Sequence, residues 1–214
     1  MSVAASRLAA VRAAIAKAAK SARRDPNGMT LVAVSKRRTA DEIEALIEAG
    51  QRDFGESRVQ EAADKWPALR ARFPDTRLHM VGRLQSNKAA EAAALFDVIH
   101  SLDRPSLLDA LAAADHQPPA FVQVNLGEEE QKGGCALADL PGFIAAVRTS
   151  PVPLAGLMAI PPRAGEPGPY FAFLGELARR HDVAGLSMGM SSDYPSAVKL
   201  GATVVRVGTA LFED

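Results

Sequence analysis

Several things are scarce in this chain of 214 residues. Cys135 is its one cysteine, which excludes an intramolecular disulfide and a cysteine-based zinc cluster. The histidines His79, His100, His116 and His181 show no metal-ligand spacing. Aromatic residues make up only 5% of the chain, so alanine and leucine do most of the core filling. Neither sign of charge is in excess. Lys+Arg and Asp+Glu stand at 25 each, which argues against a nucleic-acid binder, since such proteins carry extra basic residues to neutralise phosphates. That balance still allows a local basic pocket for one small anion. No apolar run is long enough to span a bilayer, so no membrane partner is expected. Met1 to Arg24 also lacks the apolar core of a secretory leader. Leu8, Val11 and Ile15 recur there at helical spacing between Arg7, Arg12, Lys17 and Lys20, which predicts a surface helix leading into the first strand. The lone cysteine and the missing leader fit a cytoplasmic protein.

What is present is alternation. Short β-rich runs occur at Leu31–Ser35, Arg52–Gly55, Leu78–Gly82, Val98–Leu102, Phe121–Leu126, Leu154–Ile160, Gly185–Met190 and Thr203–Gly208. Helical patterns separate them. Thr39-Ala-Asp-Glu42 reads as a capping box, ahead of an apolar face of Ile43, Leu46 and Ile47 that Gly50 ends. Asp103 reads as an N-cap before the helix-starting Pro105, and Ser192 or Asp193 as the cap of a last short helix closing at Gly201. Strands separated by helices pair in parallel through right-handed crossovers. Eight such units predict an α/β fold: a closed (β/α)8, TIM-like barrel with an extra N-terminal helix, one domain over residues 1–214. The competing reading is an open doubly wound sheet, because the second strand is weak.

In such barrels the chemistry sits at the C-terminal ends of the strands, and phosphate often binds after the last two. Strand one ends in Val34-Ser35-Lys36, strand seven leads into Ser191-Ser192-Asp193, and strand eight ends in Arg206-Val207-Gly208-Thr209. A phosphate dianion needs converging N–H donors and hydroxyls, which Ser191, Gly208 and Thr209 offer. A Schiff base needs an available neutral amine, and burial beside cations would favour that form of Lys36. Each signal has a plainer reading. A lysine after a strand is usually a solvated charge, and Ser-Met-Gly-Met190-Ser can be core packing with methionine as filler.

Longer stretches carry a resemblance. Val34-Ser-Lys36, Phe54-Gly-Glu56 with Val59-Gln-Glu61, His79-Met-Val-Gly82 and Leu84-Gln-Ser-Asn-Lys88 come first. Val124-Asn125 with Lys132-Gly-Gly134, Gly156-Leu-Met-Ala-Ile160, Leu186-Ser-Met-Gly-Met-Ser191 and Val205-Arg-Val-Gly208 follow in order. Over nearly its whole length the chain resembles the YggS/PROSC family of pyridoxal 5'-phosphate (PLP) homeostasis proteins. The resemblance implies a barrel like the N-terminal domain of alanine racemase, with PLP held as an aldimine on Lys36. It also implies phosphate contacts from Ser191, Gly208 and Thr209, with Met190 beside them, and a contact of Arg206 with either the pyridine nitrogen or the phosphate. Three departures stand out: Ser57 where the family usually has asparagine, Leu78-His79-Met80 in place of an aromatic pair, and Ala210 to Asp214 in place of a glycine and a basic tail.

Other residues have two readings. His79 either orients a group at the rim or is a satisfied structural histidine. Asn87 and Lys88 either approach the cofactor or form a helix cap with a surface charge. Glu56 and Glu61 need not face each other, Trp66 before Pro67 reads as helix packing, and Glu128–Glu130 as a solvated loop. For function, a PLP carrier that buffers the cofactor or delivers it to PLP-dependent apoenzymes leads, without a dedicated reaction. The alternative is an amino-acid racemase, which needs a proton donor on the face opposite the lysine. In alanine racemases that donor is a tyrosine from a separate C-terminal β-domain; here only Tyr170 and Tyr194 exist, neither where the resemblance would put a second base, and the expected absence of such a domain also favours a monomer. A third reading is a barrel that binds another phosphate ligand.

Overall fold

The computed structural model describes residues 2–127, 133–162 and 165–213. Lys132, Glu128–Glu130 and Arg163 lie outside the described residues. The order is α1 (Val3–Ser21), β1 (Thr30–Val34), α2 (Ala40–Glu48), β2 (Asp53–Glu56), α3 (Val59–Arg72), β3 (Arg77–Met80), α4 (Ala89–Leu95), β4 (Val98–Leu102) and α5 (Pro105–Ala112). Then come β5 (Ala120–Gln123), α6 (Leu140–Thr149), β6 (Leu154–Met158), α7 (Pro167–Arg180), β7 (Leu186–Ser187), α8 (Tyr194–Lys199), β8 (Val204–Val207) and α9 (Thr209–Phe212). All eight expected strands form and pair in parallel in sequence order. β8 closes on β1 through the register Val32↔Arg206, so the sheet is a barrel rather than an open layer.

Alternation along each strand splits the apolar residues into two cores. Leu31, Ala33, Phe54, Leu78, Ile99 and Val205 point outward and pack beneath the helices. Val32, Val98, Phe121, Met158 and Val204 form a smaller cluster, the apolar filling of the barrel itself. The extra N-terminal helix uses the expected stripe of Leu8, Val11 and Ile15, all buried, and packs on α8 and α9.

Local signals hold in part. The Thr39–Glu42 capping box is complete, with Thr39 N donating to Glu42 Oε2 at 2.8 Å. Pro105 opens α5, but the cap position is Arg104, because Asp103 instead pairs with the Arg104 guanidinium at 2.5 Å. Asp193 is the cap residue of α8, yet its Oδ1 accepts backwards, from Met190 N at 2.6 Å. The Gly185–Met190 run yields only a two-residue strand. Gly189, at φ +94°, turns the chain there against Ala197, where a Cβ would have no room. The short helix α9 is an addition that no residue pattern announced. Among the described residues, no helix is long and apolar enough to cross a membrane.

Candidate functional site

At the C-terminal ends of β1, β7 and β8 a cavity of about 380 Å³ opens. Lys36 borders it from the turn after β1, Met190, Ser191 and Ser192 from the loop after β7, and Arg206, Gly208 and Thr209 from β8 and the start of α9. Val34, Val81 and Ile160 supply apolar wall. Six of the eight residues singled out from the sequence therefore meet around one space. His79 does not: it is buried inside the barrel, bonded to His100 and Asp53. Asn87 does not either, lying exposed in the turn Ser86–Lys88. The neighbouring Lys88 borders a separate basic hollow and pairs with Glu91 at 2.8 Å.

Arg206 forms the buried floor. Its guanidinium donates to Ser187 Oγ at 2.5 Å and to the Ala159 carbonyl at 3.1 Å. Burial lowers its pKa to about 10, against the raising influence of Asp193, so at neutral pH it remains a cation. Ser191 Oγ accepts from Gly208 N at 3.1 Å and Ala210 N at 3.4 Å, which ties the loop after β7 to the start of α9. Because α8 and α9 are only one or two turns long, their dipoles are small. The anion-binding capacity of this rim therefore lies in its individual hydroxyls and N–H groups.

Lys36 departs from the expectation of a buried amine: its side chain is exposed. What is fixed is its turn. Lys65 Nζ donates to the carbonyls of Ser35 (3.1 Å) and Arg38 (3.4 Å), one on each side of Lys36-Arg37. Glu61 Oε1 accepts from Arg37 N, whose residue sits at φ +61°. Lys65 is in turn held by Glu56 Oε1 at 2.8 Å and Glu61 Oε1 at 3.0 Å. Glu56 is wholly buried and also accepts from Ser35 Oγ and Trp66 Nε1. Burial alone would raise the Glu61 pKa, but the Arg37 N–H and the Lys65 ammonium bring it below the usual value. Glu56 and Glu61 thus converge after all, on a lysine between them. Sequence reasoning missed Lys65, although its i,i+4 spacing from Glu61 was a usable signal. Arg38 turns away to Glu42, Glu213 and the face of Phe212.

An anchorable amine, a buried cation, the hydroxyl residues Ser57, Ser191, Ser192 and Thr209, and apolar walls suit a planar phosphorylated aldehyde, and the cavity falls within the range of small-ligand sites. The alanine racemase N-terminal domain family matches residues 6–214. The pyridoxal phosphate homeostasis protein of Pseudomonas aeruginosa is 43% identical, over 99% of this chain and 96% of its own. The chain belongs to this family. The family member PipY of Synechococcus elongatus, solved with PLP bound, is 38% identical, with a TM-score of 0.83 over 98% of this chain and 99% of its own. Alanine racemase from Corynebacterium glutamicum shares the fold alone, at 19% identity and a TM-score of 0.66 over 94% of this chain and 60% of its own. The family's barrel and that of the racemase are thus one architecture.

Proposed function

We propose that this chain binds PLP in the cavity between Lys36 and Arg206 and serves to buffer or deliver it, without a dedicated reaction of its own. The observation that carries this reading is the meeting of Lys36, Arg206 and the Ser191, Ser192 and Thr209 hydroxyls around one space. When bound, PLP supplies an aldehyde that condenses with amines and a ring that withdraws electrons from them. Lys36 Nζ is the covalent anchor, and its exposure lets cofactor enter and leave, as a carrier requires. Ser191, Gly208 and Thr209 hold the phosphate, with Met190 and Val81 as wall. Arg206 can only donate hydrogen bonds at neutral pH, so it orients the cofactor but takes no proton from it.

The racemase reading needs a second base, which in this family's relatives of the racemase type is a tyrosine. Among the described residues no tyrosine lines the cavity, and Tyr194 is buried in α8. PLP-dependent apoenzymes fit as recipients, and PLP itself is the small-molecule partner.

The test is the visible absorption spectrum of protein mixed with PLP, native and Lys36→Ala, followed by borohydride reduction and peptide mapping. A red-shifted band in the native protein, absent from Lys36→Ala, with the reduced adduct on the Lys36 peptide, is the expected result. An unchanged adduct in Lys36→Ala would overturn the anchor. A colourless protein that still binds sugar phosphates would overturn the cofactor.

A further inference from the structure

Five polar side chains cross the inside of the barrel in one unbroken hydrogen-bonded line. Asp53, the first residue of β2, lies at the mouth where the strands begin and is partly open to solvent. Its Oδ1 is 2.9 Å from His79 Nε2, and His79 Nδ1 is 3.0 Å from His100 Nε2. His100 Nδ1 is 2.7 Å from Ser187 Oγ, which is 2.5 Å from the Arg206 guanidinium beneath the cavity. His79, His100, Ser187 and Arg206 are all buried, and Phe121 stacks on the His100 ring at 4.7 Å.

Donor bookkeeping gives this line a direction. A guanidinium only donates, so Ser187 Oγ accepts from Arg206, and its own proton finds its acceptor in His100 Nδ1 rather than being left unpaired in the buried interior. That makes Nδ1 of His100 an acceptor and puts the ring proton on Nε2, facing His79 Nδ1. His79 then carries its proton on Nε2, facing the Asp53 carboxylate. Every donor points away from Arg206, and the chain ends on an anion. Burial, with His79 and Arg206 nearby, holds the His100 pKa well below its ordinary value, in keeping with a neutral ring.

We propose that Asp53, His79, His100 and Ser187 are positioning residues whose hydrogen-bond polarity locks Arg206 beneath the cavity and couples it to the opposite mouth of the barrel. This rests on the PLP reading for its consequence but not for its geometry. A proton added at His79 Nδ1 reverses the two middle bonds, His79–His100 and His100–Ser187, while His79 still donates to Asp53 and Arg206 to Ser187; Ser187 Oγ is left accepting twice, with its hydroxyl proton displaced from His100. Among the described residues, the other charged groups facing the line are Arg77, 3.9 Å from Asp53, Asp193 beside Arg206, and Lys36 across the cavity.

The test is nitrogen NMR of histidine-labelled full-length protein without cofactor. Native protein at neutral pH should show His79 and His100 both neutral with the proton on Nε2. A His100 protonated on Nδ1, or on both nitrogens, overturns the proposal. In Ser187→Ala the His79 signals must move too, although His79 does not touch Ser187; unmoved His79 signals mean the line does not act as a unit. Should that variant not fold, Asp53→Asn at the open end must move the His100 signals across His79. With PLP, Ser187→Ala should weaken binding on the order of fivefold and shift the pH midpoint of the visible band by roughly half a unit or more, with Ser187→Thr restoring both. A folded Ser187→Ala with unchanged affinity and midpoint overturns the positioning role. Failure of native protein to bind PLP would sink the functional reading alone, because the cofactor-free spectra still decide the line.

Discussion

Lys65 lies 14% exposed between two glutamates and two backbone carbonyls, and the turn that carries Lys36 depends on it. Removing its ammonium leaves Glu56 with only Ser35 and Trp66 as donors, one of its oxygens having no partner to begin with. A buried carboxylate stripped of its cation is costly, so Lys65→Met should lower unfolding free energy in urea by about 3 kcal/mol. The double variant with Glu56→Gln should recover most of that loss, because the uncompensated charge is gone. Recovery that fails would mean that the carbonyl contacts at Ser35 and Arg38, not the ion pair, dominate. The motif Phe54-Gly-Glu56 with Val59-Gln-Glu61 was legible as a pattern. Its role was not, since nothing in one dimension says that both carboxylates close on Lys65.

Between elements, close approach decides where the rim lies. A Cβ built on Gly82 would sit 2.2 Å from the Ser57 carbonyl, so the connection after β3 touches the connection after β2 with no space between them. Gly82→Ala must force these backbones apart and should cost roughly 1–3 kcal/mol in thermal or urea unfolding. Because Ser57 borders the cavity, PLP binding should weaken in the same variant. A variant as stable as the native protein would contradict the contact. The element pattern itself was readable: eight β-rich runs, the Thr39–Glu42 box and Gly50 all stand where expected. Strand ends were read less well, as at β7, because Gly189 and α8 truncate a run whose composition favours continuing. Asp103 was misplaced as a cap because a neighbouring guanidinium, Arg104, engages its carboxylate.

At the scale of the whole molecule, a neutral histidine sealed in the barrel ties stability to pH. His100 has a depressed pKa when folded and an ordinary one, near about 6.5, when unfolded. Below that value the unfolded chain binds a proton that the folded chain refuses, so its contribution is full above about pH 6.5 and is lost as pH falls. The limiting slope is about 1.4 kcal/mol per pH unit. Urea unfolding between neutral and mildly acid pH should show this decline, and His100→Gln should flatten it. An equally steep decline in His100→Gln would assign the acid sensitivity to other groups.

The sequence by itself determined the alternation of strand and helix, the balance of charge and the small set of residues at strand ends, because these depend on local periodicity and on position within a repeating unit. Lys36, Ser191, Gly208 and Thr209 could be named for that reason, and Arg206 through the family resemblance. Only the closed barrel decided that Lys36 stays exposed, that Asn87 lies outside the cavity, and that His79 faces inward to His100. These follow from which strands lie opposite one another across the barrel. That arrangement is set by closing eight strands around one interior, and no stretch of chain encodes it alone.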